Sequence, residues 1–131
     1  MKEKLEKLLN NSYAKYSNYR VSAICVMSDG LEIPGVNVEN ASYGATICAE
    51  RVAITSAIAK GYSKGDFKEL HVMVDSDKLG MPCFMCRQVI SEFFNIDDKV
   101  FVYSRNNMES FKVSELCPYP FNEDNLWKVE W

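Results

Sequence analysis

The chain has 131 residues, which fits one domain over 1–131, and its 47% apolar and 25% charged residues are typical of a soluble globular protein. No apolar run approaches the roughly 18 residues of a membrane span, and the N-terminal segment lacks the apolar core of a secretory signal. A net charge of −3 without a Lys or Arg block argues against nucleic acid and polyphosphate ligands. We therefore expect a cytoplasmic protein with no membrane or nucleic-acid partner.

The predicted elements begin with a helix over 2–16, in which leucines and Tyr13 recur at helical spacing. The apolar run 21–27 predicts a buried strand, and the Ser-Asp-Gly turn after it leads into a second strand over 31–38. Two strands joined by so short a turn should form a hairpin. Pro34 favours an edge position for the second strand, because proline cannot donate a ladder hydrogen bond.

Strands and helices alternate after this hairpin. The pattern predicts a helix over 48–60 ended by Gly61, a strand over 70–75 and a helix over 83–94. Strands over 99–103 and 111–113 follow, and a last helix begins after Phe121 with Asn122 as its cap. This order predicts an α/β fold, a three-layer α/β/α sandwich with a mixed central sheet.

The chemistry of the chain is concentrated in its cysteines. Five cysteines are an odd number, and nothing indicates secretion, so a disulfide framework is not expected. Cys83 and Cys86 form Cys-x-x-Cys, which at helical spacing places both sulfurs on one face. By itself the motif fits a zinc half-site, a redox dithiol or two unrelated buried thiols. Cys25 and Cys117 are most simply buried small side chains, and the single histidine, His71, lies in an apolar strand pattern that indicates a structural role.

A third thiol, Cys48, stands at another predicted helix start and strengthens the metal interpretation. Three thiolates would leave one tetrahedral position of Zn²⁺ open for water, as a catalytic zinc site requires. Glu50 lies two residues further on and could shuttle protons. Arg51, three residues after Cys48, could hydrogen-bond a thiolate and offset its charge, or it could be a solvated surface arginine.

These residues resemble a known signature. Cys48-Ala49-Glu50 with Pro82-Cys83-Phe84-Met85-Cys86 matches the zinc deaminase pattern of Cys or His, x, Glu, then Pro-Cys-x-x-Cys. The segment 37–44, Asn-Val-Glu-Asn-Ala-Ser-Tyr-Gly, and Cys86-Arg87-Gln88 resemble the small homotetrameric cytidine deaminases. Weaker similarity, around Tyr16-Ser17 and Glu115-Leu116, extends the resemblance over roughly residues 13–126.

The resemblance implies roles for individual residues. One Zn²⁺ per chain would be held by Cys48, Cys83 and Cys86, with Glu50 as the proton shuttle for zinc-activated water. The substrates would be cytidine and deoxycytidine, in pyrimidine salvage, and the assembly a homotetramer with shared active sites. The implied substrate-binding residues are Asn37 and Glu39 at the ribose 3′-hydroxyl, Ala41 and Tyr43 towards its 5′ end, Ala49, Tyr19 against the base, and Phe121 from a neighbouring subunit.

Some positions depart from the family pattern. Tyr19 stands where Phe is usual and Ser22 where Gly is usual, while Phe84 and Met85 replace small residues between the two cysteines. The bulky pair leaves the substrate range open. Three other functions compete: a deaminase of another cytosine nucleoside of the blasticidin-S type, a non-catalytic zinc or redox module, and a polynucleotide deaminase. The first lacks the Glu-Asn-Ala-Ser-Tyr segment, the second gives Glu50 no role, and the third conflicts with the acidic charge.

Overall fold

The structure is a computed structural model that describes residues 1–126. The helices and strands are, in chain order, α1 Lys2–Leu9, β1 Val21–Met27, β2 Glu32–Val36, α2 Ala49–Ala59, β3 Phe67–Val74, α3 Phe84–Phe93, β4 Lys99–Tyr103, β5 Met108–Lys112 and α4 Val113–Leu116. Short 3₁₀ turns occupy Tyr43–Ala45 and Glu123–Asn125.

The five strands form one mixed sheet in the order β2-β1-β3-β4-β5. β1 is antiparallel to both β2 and β3, β3 is parallel to β4, and β4 is antiparallel to β5. The predicted hairpin and the edge position of Pro34 are therefore confirmed, since β2 ends the sheet on one side.

Helices cover both faces of this sheet. On one face, Leu5 and Leu9 of α1 pack against Ile24, Met73 and Tyr103. On the other face, the buried side chains of α2 and α3 join a larger core that includes Cys25, Leu70, Val72, Val100 and Val102. The three-layer α/β/α sandwich predicted from the sequence is confirmed. Within residues 1–126, no helix has the length and apolarity needed to cross a membrane.

The first helix was predicted too long. It ends at Leu9 rather than at residue 16, and Tyr13 is 49% exposed. The Tyr13 backbone instead pairs with the segment after β2: its N–H donates to the Asn37 carbonyl at 3.0 Å, and its carbonyl accepts from the Glu39 N–H at 2.8 Å. A helix would occupy these backbone groups, and the Asn-Asn-Ser sequence at 10–12 has weak helix propensity to oppose the pairing.

Other boundaries differ less. β2 is shorter than predicted. The strand expected at 111–113 begins earlier, at Met108, while Val113 starts α4, where the Glu115 carboxylate accepts from the Lys112 N–H at 2.9 Å. After Phe121 the described residues contain only a 3₁₀ turn, capped by Asn122. The rest of the predicted last helix, residues 127–131, lies outside the described residues.

The structural interpretation of His71 agrees with its surroundings. The ring stacks on Phe101 with 4.5 Å between centroids, and its Nδ1 lies 2.9 Å from the Tyr103 hydroxyl. His71 shares the α1 face of the sheet with Met73, whereas α2 and α3 cover the opposite face. His71 is therefore separated by the sheet from the cysteine motifs.

Candidate metal centre and substrate cleft

Two helix N-termini bring three thiols together. Cys48 is the residue immediately before α2, Cys83 is the residue immediately before α3, and Cys86 lies in the first turn of α3. Their Sγ atoms all lie within 4.8 Å of one another, with 3.8 Å between those of Cys48 and Cys83. The positive ends of both helix dipoles point at this cluster and stabilise thiolate there.

The donor set fits zinc. Two sulfurs bound tetrahedrally, each at about 2.3 Å from Zn²⁺, stand roughly 3.8 Å apart, which is the spacing of the Cys48 and Cys83 sulfurs. The three cysteines form no disulfide. Three protein ligands are the number found in catalytic zinc sites, whereas structural sites have four.

Arg51 lies beside the thiols, as its spacing from Cys48 predicted. Its Nη2 is 3.5 Å from the Cys48 Sγ, and its Nε is buried without a hydrogen-bond partner among residues 1–126. A hydrogen bond from the Cys86 thiol lowers the pKa of Cys48, and Arg51 contributes to the same shift. The site therefore favours thiolate at Cys48. The solvated-surface alternative for Arg51 does not agree with this packing.

Glu50 lines the adjoining cleft and is only 4% exposed. Burial raises the pKa of its carboxyl to about 7, and the nearby Cys48 charge acts in the same direction. A carboxyl group whose pKa lies close to neutrality can both accept and return a proton at physiological pH.

The cleft beside the thiols has a volume of about 300 Å³. Its walls are mainly apolar, with a few polar groups that could orient a ligand. The residues that line it are Ser17, Tyr19, Val21, Asn37, Glu39, Thr46, Ile47, Cys48, Ala49, Glu50, Val72, Val74, Gly80, Met81 and Cys83. Five of the residues implied by the resemblance as substrate-binding or catalytic therefore share one cleft: Tyr19, Asn37, Glu39, Ala49 and Glu50.

Asn37 is held rigidly by the backbone around it. Its Oδ1 accepts from the Val21 N–H at 2.9 Å and from the Ser12 hydroxyl, and its Nδ2 donates to the Tyr19 carbonyl at 2.8 Å. An amide group has two N–H donors and two acceptor lone pairs. These contacts use both acceptor sites and one donor, so one N–H of Asn37 is left for a ligand.

Glu39 is held in a complementary way. Its Oε1 accepts from the backbone N–H groups of Tyr16 and Ser17, each at 3.0 Å, and its Oε2 accepts from the Ser17 hydroxyl. The Ser17 hydroxyl and these N–H groups lower the pKa of Glu39, which keeps the carboxylate charged. One lone pair of Oε2 remains to accept a further hydrogen bond.

The remaining predicted residues lie outside this cleft. Tyr43 is 91% exposed and borders a small groove that shares Ser17, Glu39 and Thr46 with the cleft. Ala41 is exposed in the same loop. Phe121 is 58% exposed, and its backbone pairs with the side-chain amide of Gln88, whose Nε2 donates to the Phe121 carbonyl at 2.6 Å.

Several lining residues were not identified from the sequence. Ser17 belongs to a segment that matches the family weakly. Its hydrogen bonds to Glu39 depend on a turn in a region where the sequence predicted the end of a helix over 2–16. Ile47, Thr46 and Gly80 carry no signal of their own, because a small or apolar residue beside a motif is compatible with many structures.

Comparison with known proteins finds relatives along most of the chain. The sequence model of the cytidine and deoxycytidylate deaminase zinc-binding region matches residues 1–103. A cytidine deaminase of Halalkalibacterium halodurans is 38% identical over 116 residues, 88% of this chain and 86% of that protein. A probable cytidine deaminase of Dictyostelium discoideum is 39% identical over 95% of this chain and 88% of its own length.

The fold comparison leads to the same family. The crystal structure of cytidine deaminase from Burkholderia pseudomallei superposes with a TM-score of 0.87 at 37% sequence identity, covering 91% of this chain and 94% of that one. Sequence, fold and a three-thiol cluster that fits zinc thus agree, and the chain belongs to the zinc-dependent cytidine and deoxycytidylate deaminase family.

Proposed function

We propose that this protein hydrolyses cytidine and deoxycytidine to uridine and deoxyuridine, releasing ammonia. The observation that carries the proposal is the placement of Glu50 in one cleft with Cys48, Cys83 and the Asn37–Glu39 pair. A metal-binding module without catalysis would have no need for a buried carboxylate beside its thiols. The relatives at 38% and 39% identity are named as cytidine deaminases, which supports the same reaction.

The chemical step divides between the metal site and Glu50. Cys48, Cys83 and Cys86 would hold Zn²⁺, which when bound supplies a Lewis acid that makes water available as a nucleophile near neutral pH. Glu50 takes a proton from the attacking water and delivers a proton to ring N3, so that the ring can accept electron density as C4 is attacked. Glu50 then takes the remaining proton from the hydroxyl added at C4 and passes it to the C4 amine, which leaves as ammonia as the C4 carbonyl forms.

The pair Asn37 and Glu39 suits a sugar hydroxyl. A hydroxyl group both donates and accepts, and the pair offers one free N–H and one free carboxylate lone pair. We assign this pair to the ribose 3′-hydroxyl, present in both cytidine and deoxycytidine. A substrate without that hydroxyl would leave both groups unpaired, which typically reduces kcat/KM by about 10⁴-fold or more.

The cleft favours a nucleoside over a nucleotide. Neither Lys nor Arg is among the described residues that line it, and the Glu39 carboxylate is held in its charged form. A 5′-phosphate would bring two further negative charges close to Glu39 without a compensating cation. The charge of the residues that line the cleft therefore disfavours deoxycytidylate as a substrate, although the family includes enzymes for both kinds of substrate.

The active unit is proposed to be a homotetramer whose sites are completed by neighbouring chains. Tyr43 and Phe121 are 91% and 58% exposed and lie outside the cleft of their own chain, as expected for side chains that reach a neighbour. Phe121→Ala should raise KM, and light scattering should give four chains per particle. A monomer with full activity at assay concentration would refute this assembly.

Residues 1–131 are proposed to act as one catalytic domain in the cytoplasm, where a reducing environment keeps the five cysteines as thiols. There the reaction would return free nucleosides to the pyrimidine pool, in salvage.

Substrate comparison tests the proposal directly. We expect loss of the cytosine absorbance with cytidine and deoxycytidine, and kcat/KM at least about 10²-fold lower with deoxycytidylate and blasticidin S. Equal or better activity on deoxycytidylate would contradict the charge argument. Activity on blasticidin S alone would instead establish the rival nucleoside function, and inactivity of zinc-loaded protein on all four compounds would refute deamination.

A further inference from the structure

Gly80 borders the cleft in a position where a side chain has no room. A Cβ built on Gly80 would overlap the Tyr19 hydroxyl and would lie 2.7 Å from the Val74 Cγ1. The backbone of Gly80 is not in the left-handed region, so the conformation does not require glycine. The requirement is therefore one of space, and the space is filled by the tip of Tyr19 together with the methyl groups of Val74.

The backbone of Tyr19 has little freedom to move away. Its N–H donates to the Ser17 hydroxyl at 3.0 Å, and its carbonyl accepts from the Asn37 amide at 2.8 Å. The next residue, Arg20, donates from Nε to the Asp75 carboxylate at 2.9 Å, which ties this segment to the end of β3. If the space at Gly80 were lost, the displacement would fall on the Tyr19 ring rather than on its backbone.

The ring of Tyr19 is otherwise only partly packed. It is 47% exposed and lines the cleft together with Val74, Gly80 and Met81. Tyrosine is also a departure from the phenylalanine usual in the resembling family, and the additional hydroxyl oxygen is the atom that a Gly80 Cβ would overlap. Residues 19 and 80 therefore fit each other as a pair.

We propose that Gly80 is a positioning residue: its missing side chain admits the Tyr19 hydroxyl and so fixes the Tyr19 ring along the wall of the cleft, where the ring sets substrate affinity. This inference rests on the proposed nucleoside function for the identity of the substrate. The geometric part, that Gly80 fixes the Tyr19 ring, does not depend on it.

The test uses four variants of the full chain: Gly80→Ala, Tyr19→Phe, the double variant and Gly65→Ala. Gly65 is the matched control, because its φ of +98° makes alanine strained there while nothing lies within 4 Å of the added Cβ. Gly80→Ala should raise KM for cytidine about 5- to 10-fold through the loss of aromatic contact, with kcat changed less than about threefold. Gly65→Ala should lower Tm and leave KM unchanged. The double variant should return KM to within about threefold of Tyr19→Phe.

A second measurement is independent of catalysis. In protein labelled with 3-fluorotyrosine, the ¹⁹F resonance that disappears in Tyr19→Phe should shift in Gly80→Ala and remain in place in Gly65→Ala. A KM effect of Gly80→Ala that persists in full in the double variant, or an unmoved Tyr19 resonance, would overturn the proposal. If Gly80→Ala does not fold, recovery of folding in the double variant supports the pairing, whereas failure of both assigns the clash to Val74 and refutes the pairing with Tyr19. If wild-type protein is inactive on cytidine but the Tyr19 resonance still shifts in Gly80→Ala, the result counts against the proposed substrate and not against the positioning role of Gly80.

Discussion

Replacing Glu50 with glutamine tests the contribution of proton transfer to the rate while the shape of the side chain is kept. Glu50→Gln keeps the length and hydrogen-bonding reach of a side chain that is 4% exposed in the cleft, but an amide cannot take and return protons. One general acid–base transfer is typically worth about 10²–10⁴ in rate, and the proposed mechanism assigns several transfers to this one carboxylate. We therefore expect kcat to fall by at least roughly 10³-fold, or about 4 kcal/mol of transition-state stabilisation. Folding should not suffer, because burial already disfavours the charged carboxylate.

The measurement is the initial rate of absorbance loss with cytidine, alongside zinc content and Tm for each protein. Glu92→Gln is a suitable control, because it makes the same change on α3 at a side chain that is half exposed and lies outside the cleft. It should keep wild-type kcat and KM. A Glu50→Gln protein that retains its zinc and deaminates cytidine within about tenfold of wild type would refute the role assigned to Glu50.

The other predictions concern the zinc ligands, Arg51 beside them, and the ion pairing of Asp75 outside the cleft. Cys83→Ala should lower the zinc content from about one per chain to a small fraction, measured by elemental analysis. The control variant Cys117→Ala should retain its zinc. A full zinc complement in Cys83→Ala would exclude the three-thiol site. Arg51→Gln should lower zinc affinity or activity roughly 10- to 100-fold, as neighbours of metal ligands commonly do, and unchanged values would show that its contact with the thiolate has no consequence. Asp75→Asn should cost roughly 0.5–1 kcal/mol in urea denaturation at pH 7, through the ion pairs with Arg20 and Arg105. Arg20 lowers the pKa of Asp75, so this contribution is present above the unfolded pKa near 4 and is lost as pH falls through the folded pKa. The stabilities of the two proteins should therefore converge at low pH. A stability difference that stays constant with pH would contradict the ion pairing.

The elements predicted best are those whose own residues determine them. The run at 21–27 and the segment 99–103 became β1 and β4 with the predicted bounds, because continuous apolar and β-branched residues favour a buried strand wherever the sheet forms. Residues 10–16 were predicted wrongly for the opposite reason. Their structure depends on backbone pairing between Tyr13 and residues 37–39, which are more than 20 positions away in sequence.

The candidate site divides in the same way. The contact between Arg51 and Cys48 follows from their spacing on one helix, so a sequence pattern was enough to predict it. That Asn37 has one free donor and Glu39 one free acceptor depends on Ser12, Ser17 and the turn that places them. Which atoms remain free for a ligand is a property of the folded neighbourhood, and short motifs do not contain that information.

A close approach between β2 and α2 at Gly35 sets the distance between the thiol cluster and the Asn37–Glu39 pair. A Cβ on Gly35 would lie 2.5 Å from the Ala49 carbonyl and 2.5 Å from the Ala53 N–H nitrogen, so glycine lets the first turn of α2 rest directly on β2. The chain leads from β2 into Asn37 and Glu39, whereas α2 carries Glu50 and is immediately preceded by Cys48. The proposed proton shuttle and the proposed ribose ligands are therefore held by two elements in backbone contact with each other. A site that must hold a base and a sugar at fixed separation needs such rigidity, because displacements of about 1 Å at a reacting centre can reduce rates 10²-fold.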